Sequence, residues 1–164
     1  MKKIKIISLL LMVFAIQSLT AQETKKVLGT IGNEKLGDDR IVICVLGTQA
    51  CMPVNIDKSM TVKYQGRDTK LTDLPFALYL EADIDGSTNK IKAVSIDESK
   101  TVICFEEYKE GNDEKLTRLL KGINGVNSFK FYPNSNQVYI EYNPKQISYS
   151  SIESNVKNAG FILE

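Results

Sequence analysis

The chain has 164 residues, with 21 Lys and Arg against 20 Asp and Glu, and it has no histidine. The missing histidine removes the usual neutral-pH general base, the Ser/His/Asp and Cys/His nucleophile systems and the commonest metal ligand, so the chain is expected not to be an enzyme. The nearly balanced charge gives no basic field to draw phosphate backbones, and nucleic acid is not an expected partner.

The first element is a leader. Lys2, Lys3 and Lys5 form a basic start, Ile6 to Ile16 an apolar run broken only by Ser8, and Leu19-Thr20-Ala21 a small-residue exit. This is the three-part pattern of a secretory signal peptide, predicted to span 1–21. The apolar run falls short of the roughly 20 residues that cross a bilayer, so no membrane span is expected in the mature chain. Without the leader, Lys and Arg fall from 21 to 18 against 20 acids, a formal net charge of −2. The expectation is a soluble exported chain from Gln22 to Glu164, periplasmic or secreted.

Residues 22–98 are predicted to be all-β. Ile41 to Leu46 is a continuous apolar run suited to a buried strand, and Thr61 to Gln65 alternates up to a turn at Gly66-Arg67. Leu78, Leu80, Ala82 and Ile84 share one face, with Glu81, Asp83 and Asp85 on the other. After Asp85-Gly86-Ser87 alternation resumes from Lys90 to Ile96, the mark of a hairpin. About five short strands suggest a small antiparallel β-barrel or curled sheet, with Leu71-Thr72-Asp73-Leu74-Pro75 sealing one end. The run Glu81-x-Asp83-x-Asp85-Gly86 hints at a calcium loop. Its twelfth position is Lys92, however, and its flanks alternate as strands, which favours a solvated hairpin face.

Cys44 and Cys51 are the most informative pair in this half. With Gly47-Thr48 as a two-residue turn, Leu46 faces Gln49, Val45 faces Ala50 and Cys44 faces Cys51. Facing cysteines lie within disulfide reach, and an oxidising exported setting favours a bridge. The same geometry also suits a soft Cu(I) site, with Met52 adjacent and Met60 a further candidate. Both readings stand on the sequence.

Residues 99–164 change character, with the boundary expected near Asp97 to Ser99. Leu116, Leu119, Leu120 and Ile123 mark one face of a helix, for which Asn112 is the expected cap, with Asp113 and Glu114 in its first turn. Val126 to Tyr132 and Gln137 to Tyr142 alternate around Pro133-Asn134-Ser135-Asn136. Ser150-x-x-Glu153 has the form of a capping box opening a second helix, with Ile152, Val156 and Ala159 inward and Gly160 as its stop. Tyr142 is expected in the core with Val138 and Ile140. Tyr132, Tyr139 and Tyr149 are candidates for a partner surface, Tyr139 because it points outward.

The stretch Gly125-Val126, Phe129, Phe131, Val138-x-Ile140-x-Tyr142-x-Pro144, Ile152, Val156 and Gly160-Phe161 resembles the heavy-metal-associated domain over roughly residues 100–164. The resemblance implies a ferredoxin-like βαββαβ domain, two helices on one face of a four-stranded sheet, within an α+β chain. It also implies a Gly-Met-x-Cys-x-x-Cys loop after the first strand, whose thiolates hold Cu(I) or Zn(II). Counting back from Gly125, the two cysteine positions fall on Lys109 and Asn112, and the Gly and Met positions on Glu106 and Glu107. A lysine ammonium has no lone pair and an asparagine amide is a poor soft ligand, so metal is not expected there. Cys104 is expected as an inward core residue alternating with Val102. The resulting expectation is a noncatalytic exported binding or adaptor protein, with metal homeostasis as the context the resemblance implies and an envelope or metal-handling protein as partner. The alternative is direct Cu(I) binding through Cys44 and Cys51.

Overall fold

The computed structural model describes residues 23–34, 36–109 and 111–164. The signal-peptide prediction therefore lies outside the described residues. The fold is mixed α+β and mostly strand, and it includes a closed five-stranded barrel. The strands are β1 (Thr24–Ile31), β2 (Arg40–Val45), β3 (Cys51–Asn55), β4 (Thr61–Tyr64), β5 (Arg67–Lys70), β6 (Leu78–Asp85), β7 (Lys90–Cys104), β8 (Val126–Tyr132) and β9 (Gln137–Tyr142). The α-helices are α1 (Asn112–Gly122) and α2 (Tyr149–Asn158). Among the described residues no helix is long and apolar enough to cross a membrane.

One sheet runs β3-β2-β1-β6-β7-β9-β8, and β3 returns to pair in parallel with β7 at Asn55↔Lys90. That return closes β1, β2, β3, β6 and β7 into the barrel. Side chains stitch the seam: Asn55 Nδ2 donates to the Thr88 carbonyl at 3.0 Å, and Asn89 Nδ2 donates to the Pro53 carbonyl at 2.7 Å. Closure removes an unpaired edge that would otherwise invite association. The barrel is filled by Val27, Ile41, Ile43, Val54, Leu80, Ala82, Ile84 and Ile91. Leu71 and Leu74 seal one end, as their sequence suggested, from a 3₁₀ turn and the residue after it. β4 and β5 form a separate hairpin whose turn is Gln65-Gly66 rather than Gly66-Arg67, since both residues take the positive φ of a type I′ turn.

β7 is the common member of barrel and C-terminal sheet. It pairs with β6 from Lys90 to Thr101 and with β9 from Lys100 to Cys104. The expected boundary at Asp97 to Ser99 falls inside this strand, on an irregularity where Leu80↔Ile96 gives way to Leu78↔Thr101. Asp97 organises the excursion by accepting from the Ser99 N–H and hydroxyl and pairing with Lys100 Nζ at 2.8 Å.

Beyond the irregularity the strand's inner parity is Thr101, Ile103 and Phe105. Ile103 and Phe105 join Val138 and Ile140 of β9, Leu116 and Leu120 of α1, and Ile152 and Val156 of α2 in a single core. Both helices thus bury their apolar stripes in the same core. Cys104 is not in it. A register one residue away from the expected one turns Val102 and Cys104 to the opposite side of the strand, where Gln137 and Tyr139 are their cross-strand partners.

Both helix starts also differ from expectation. α1 begins at Asn112 after Gly111, whose φ of 84° places it in the cap position, and no side chain caps that end. α2 is capped by Ser148, which accepts from the Ser151 N–H at 3.2 Å, while Glu153 pairs with Lys157 at 3.0 Å instead of reaching back. Gly160, at φ 86°, follows the end of α2 as expected.

The barrel covers the sheet face opposite the helices. Tyr139 stands edge-on to Tyr79 of β6 at 5.6 Å between centroids, so its outward position is an internal contact, and Tyr79 is buried by it. The β2–β3 hairpin tip is held by one side chain. Gly47 N–H donates to Gln137 Oε1 at 2.8 Å, and Gln137 Nε2 donates to the Thr48 carbonyl at 3.1 Å. Gln137 is 5 % exposed and takes a further bond from the Ser135 hydroxyl. Gln137→Ala leaves an N–H and a carbonyl at this junction without partners. It is expected to lower stability by about 1–3 kcal/mol, measured by urea unfolding, whereas the exposed neighbour change Asn134→Ala leaves the midpoint in place.

Candidate functional site

The cysteine hairpin is built by local pairing. Cys44 and Cys51 are directly opposite in the β2–β3 ladder, with Cα atoms 3.9 Å apart, and their sulfurs are joined in a disulfide. The connection differs from the expected two-residue turn. Thr48 N–H donates to the Val45 carbonyl at 3.2 Å and Val45 N–H to the Ala50 carbonyl at 2.9 Å, so the chain turns over Leu46-Gly47. Leu46 leaves the hairpin ladder to donate to the Leu28 carbonyl of β1. Gly47 suits its place doubly, with a φ of 76° and Tyr132 carbons 3.1 Å from where a Cβ would stand.

The structure separates the sulfur ligands that the sequence had placed side by side. Cys51 is exposed on the outer face of β3, while Met52 packs against the barrel core from the inner face, as does Met60. Cys44 and Cys51 are brought together, but no third sulfur joins them. In disulfide form neither presents a thiolate, the state a soft metal requires. A disulfide here is compatible with an exported protein.

Cys104 is the free cysteine among the described residues. Burial pushes its thiol pKa up, the Glu164 carboxylate adds to this, and a hydrogen bond from Gln137 acts against it. Such a thiol is a weak nucleophile at neutral pH.

The loop that matches the family's metal site has no donor set for a soft ion. Lys109 Nζ pairs with Glu107 at 3.1 Å, both side chains being exposed. Asn112 is the first helical residue of α1 and donates its N–H to the Lys109 carbonyl. Tyr108 donates its hydroxyl to Asp113, so that carboxylate is engaged too. These residues do not fit the metal that the resemblance implies.

The acidic run on β6 is likewise structural. Glu81 pairs with Lys26 of β1. Asp85, expected to point to solvent, is 3 % exposed although β6 keeps its alternation there; the residue left over in the irregular pairing is Lys92 of β7, and it covers the carboxylate together with the Ser87 turn. Its carboxylate accepts from the Ser87 hydroxyl at 2.6 Å and pairs with Lys92 Nζ at 2.9 Å. The Ser87 hydroxyl, then Lys92, then the backbone N–H groups of Ser87 and Thr88 hold its pKa well below the usual carboxylate value.

Three outcomes follow from these placements. Native protein is expected to react slowly at neutral pH with one thiol equivalent of a maleimide, and with three after reduction. Loss of the bridge in Cys44→Ser/Cys51→Ser is expected to cost about 2–3 kcal/mol in urea unfolding. A carboxylate held below its unfolded pKa stabilises the fold fully above that pKa, near 3.9, and less as the pH falls through the folded value. Asp85→Asn is therefore expected to lower the neutral-pH thermal midpoint while flattening its fall below about pH 4.

Comparison with protein-family models, with curated proteins and with solved structures finds no match to this chain.

Proposed function

We propose that this chain is an exported, noncatalytic binding protein, an adaptor whose C-terminal unit is a heavy-metal-associated-like domain with its metal grip replaced. Support for the ferredoxin-like βαββαβ reading comes from neighbour relations. β9 lies between β7 and β8, all antiparallel, and Leu163 pairs antiparallel with Phe105 as the remnant of a last strand. The shared helix core, from Leu116 to Val156, agrees with it.

The observation that carries the functional reading is the Lys109–Glu107 ion pair together with Asn112 inside α1, where thiolates would be needed. A fold retained without its chemistry points to recognition of another molecule rather than to ion transfer. A metal-handling envelope protein is the partner that the resemblance implies. The test is affinity capture from an envelope fraction with the chain from Gln22 onward. A reproducible partner is the expected result; recovery of nothing beyond an unrelated exported control overturns the reading.

A second reading is direct Cu(I) binding by Cys44 and Cys51 once their bridge is reduced, favoured by their direct cross-strand pairing. Cu(I) titration of reduced protein is expected to show one site that Cys44→Ser/Cys51→Ser abolishes. Binding that is unchanged in the double variant removes this reading.

A further inference from the structure

A cleft of ≈ 360 Å³ lies where the barrel meets the C-terminal unit, and neither the cysteine hairpin nor the Lys109 loop contributes to it. Its walls come from distant parts of the chain: Tyr64 from the β4–β5 hairpin, Phe76 from the barrel plug, and Tyr142, Pro144 and Tyr149 from the helical unit. Clefts between structural units are favoured binding positions, and this one sets aromatic and proline rings beside polar groups such as Gln65 and Ser148.

Phe76 is 61 % exposed, an unusual state for a phenylalanine beside a ring-lined cleft. Its backbone is fixed rather than loose. Ala77 takes a left-handed φ of 62°, donates its N–H to the Ile31 carbonyl at 2.8 Å and accepts from the Thr101 hydroxyl at 3.4 Å. A non-glycine residue in that region is uncommon and is held there by its surroundings. The strained step after Pro75 keeps the Phe76 ring in solvent.

Tyr142 supplies an independent observation. Its side chain is 6 % exposed and its hydroxyl makes no hydrogen bond with any described residue. No polar side-chain atom among the described residues is sealed off without a partner, so this hydroxyl is accessible, and Tyr142 lines the cleft together with Tyr64 and Glu98. It is a donor held ready for an acceptor that the protein does not provide. The charge at the cleft is one-sided in availability: Lys100 is bound by Asp97 at 2.8 Å, whereas the Glu98 carboxylate accepts only from the neutral Gln65 N–H.

Ring-lined walls, a free hydroxyl donor and an unneutralised carboxylate match an extended proline-rich peptide. Its rings stack on aromatics, its carbonyls make no internal bonds and accept from tyrosine hydroxyls, and a flanking arginine pairs with an acid. A carbohydrate would use the same hydroxyls, but Pro75, Phe76 and Pro144 offer it no polar partner. We propose that this cleft binds a proline-rich segment of a partner protein in polyproline II conformation, with a basic residue beside Glu98. The inference deepens the adaptor reading and rests on it.

The test is fluorescence polarisation of a fluorescein-labelled hexaproline peptide ending in arginine, titrated with the chain from Gln22 onward. Saturable binding is expected, weakened roughly tenfold by Phe76→Ala, whose exposed ring contributes little to folding. Tyr142→Phe removes a hydroxyl without an internal partner and is expected to weaken binding roughly threefold to tenfold with an unchanged thermal midpoint. Glu98→Gln keeps the acceptor for Gln65 and is expected to abolish the preference for arginine over a serine-ended peptide. No saturation up to millimolar protein, or affinity in both ring variants equal to that of the unaltered chain, overturns the proposal. So does cellohexaose binding that displaces the peptide and is lost in Phe76→Ala. An envelope partner captured equally by wild type and Phe76→Ala overturns this cleft while leaving the adaptor reading in place.

Discussion

The structure depends on one continuous strand. β7 contributes Ile91 to the barrel core at one end and Ile103 to the helix-covered core at the other, with no linker between. A strand that changes neighbours from β6 to β9 must also change which face it buries. The Asp97–Lys100 irregularity performs that change, and its Asp97 hydrogen bonds keep the distorted backbone satisfied. Contacts between the two cores include Tyr79 against Tyr139, Gln137 on the hairpin tip and Thr101 on Ala77. The halves are therefore joined by covalent continuity and by part-buried hydrogen bonds as well as by ring packing.

This arrangement gives the disulfide a role beyond closing a short loop. The bridge pins the two strands directly behind the Gly47-Thr48 tip, and the tip is what Gln137 grips. Order in the hairpin lowers the entropy lost when its backbone docks on the helical unit. The loop before α1 shows no such cross-link: Lys109 pairs with Glu107 on the surface and Asn112 opens the helix.

The two halves were unequally legible in the sequence. Helical faces around Leu116 and Ile152, the Leu71–Leu74 plug and the Cys44/Cys51 pairing could all be found because each is a local pattern with a period of 3.6 or 2 or a short turn. What escaped were consequences of distant contacts. Cys104 was assigned to the wrong face because a gapless count back from Gly125 crosses a loop and a helix, which carry no strand parity. Asp85 alternates as an outward residue, and it is buried by the Ser87 turn and by Lys92, the residue left over in the β6–β7 pairing. Ser148 caps α2 two residues before the better-looking Ser150-x-x-Glu153, and Glu153 pairs with Lys157 instead. Tyr79, Gln137 and the Asn55–Asn89 seam carry no local signal: each is polar or aromatic in an ordinary strand context, and its meaning comes from residues dozens of positions away. The cleft shares this property, since Tyr64, Phe76 and Tyr142 meet only once the barrel has closed.

The first and last described residues both fasten to the surroundings of β7. The Gly86 N–H donates to the Glu23 carbonyl in the turn that leads into β7, while the Glu164 N–H donates to the Cys104 carbonyl at its finish. With about 3.3 Å of rise per residue, the 15 residues of β7 trace a contour of roughly 50 Å between those two fastenings.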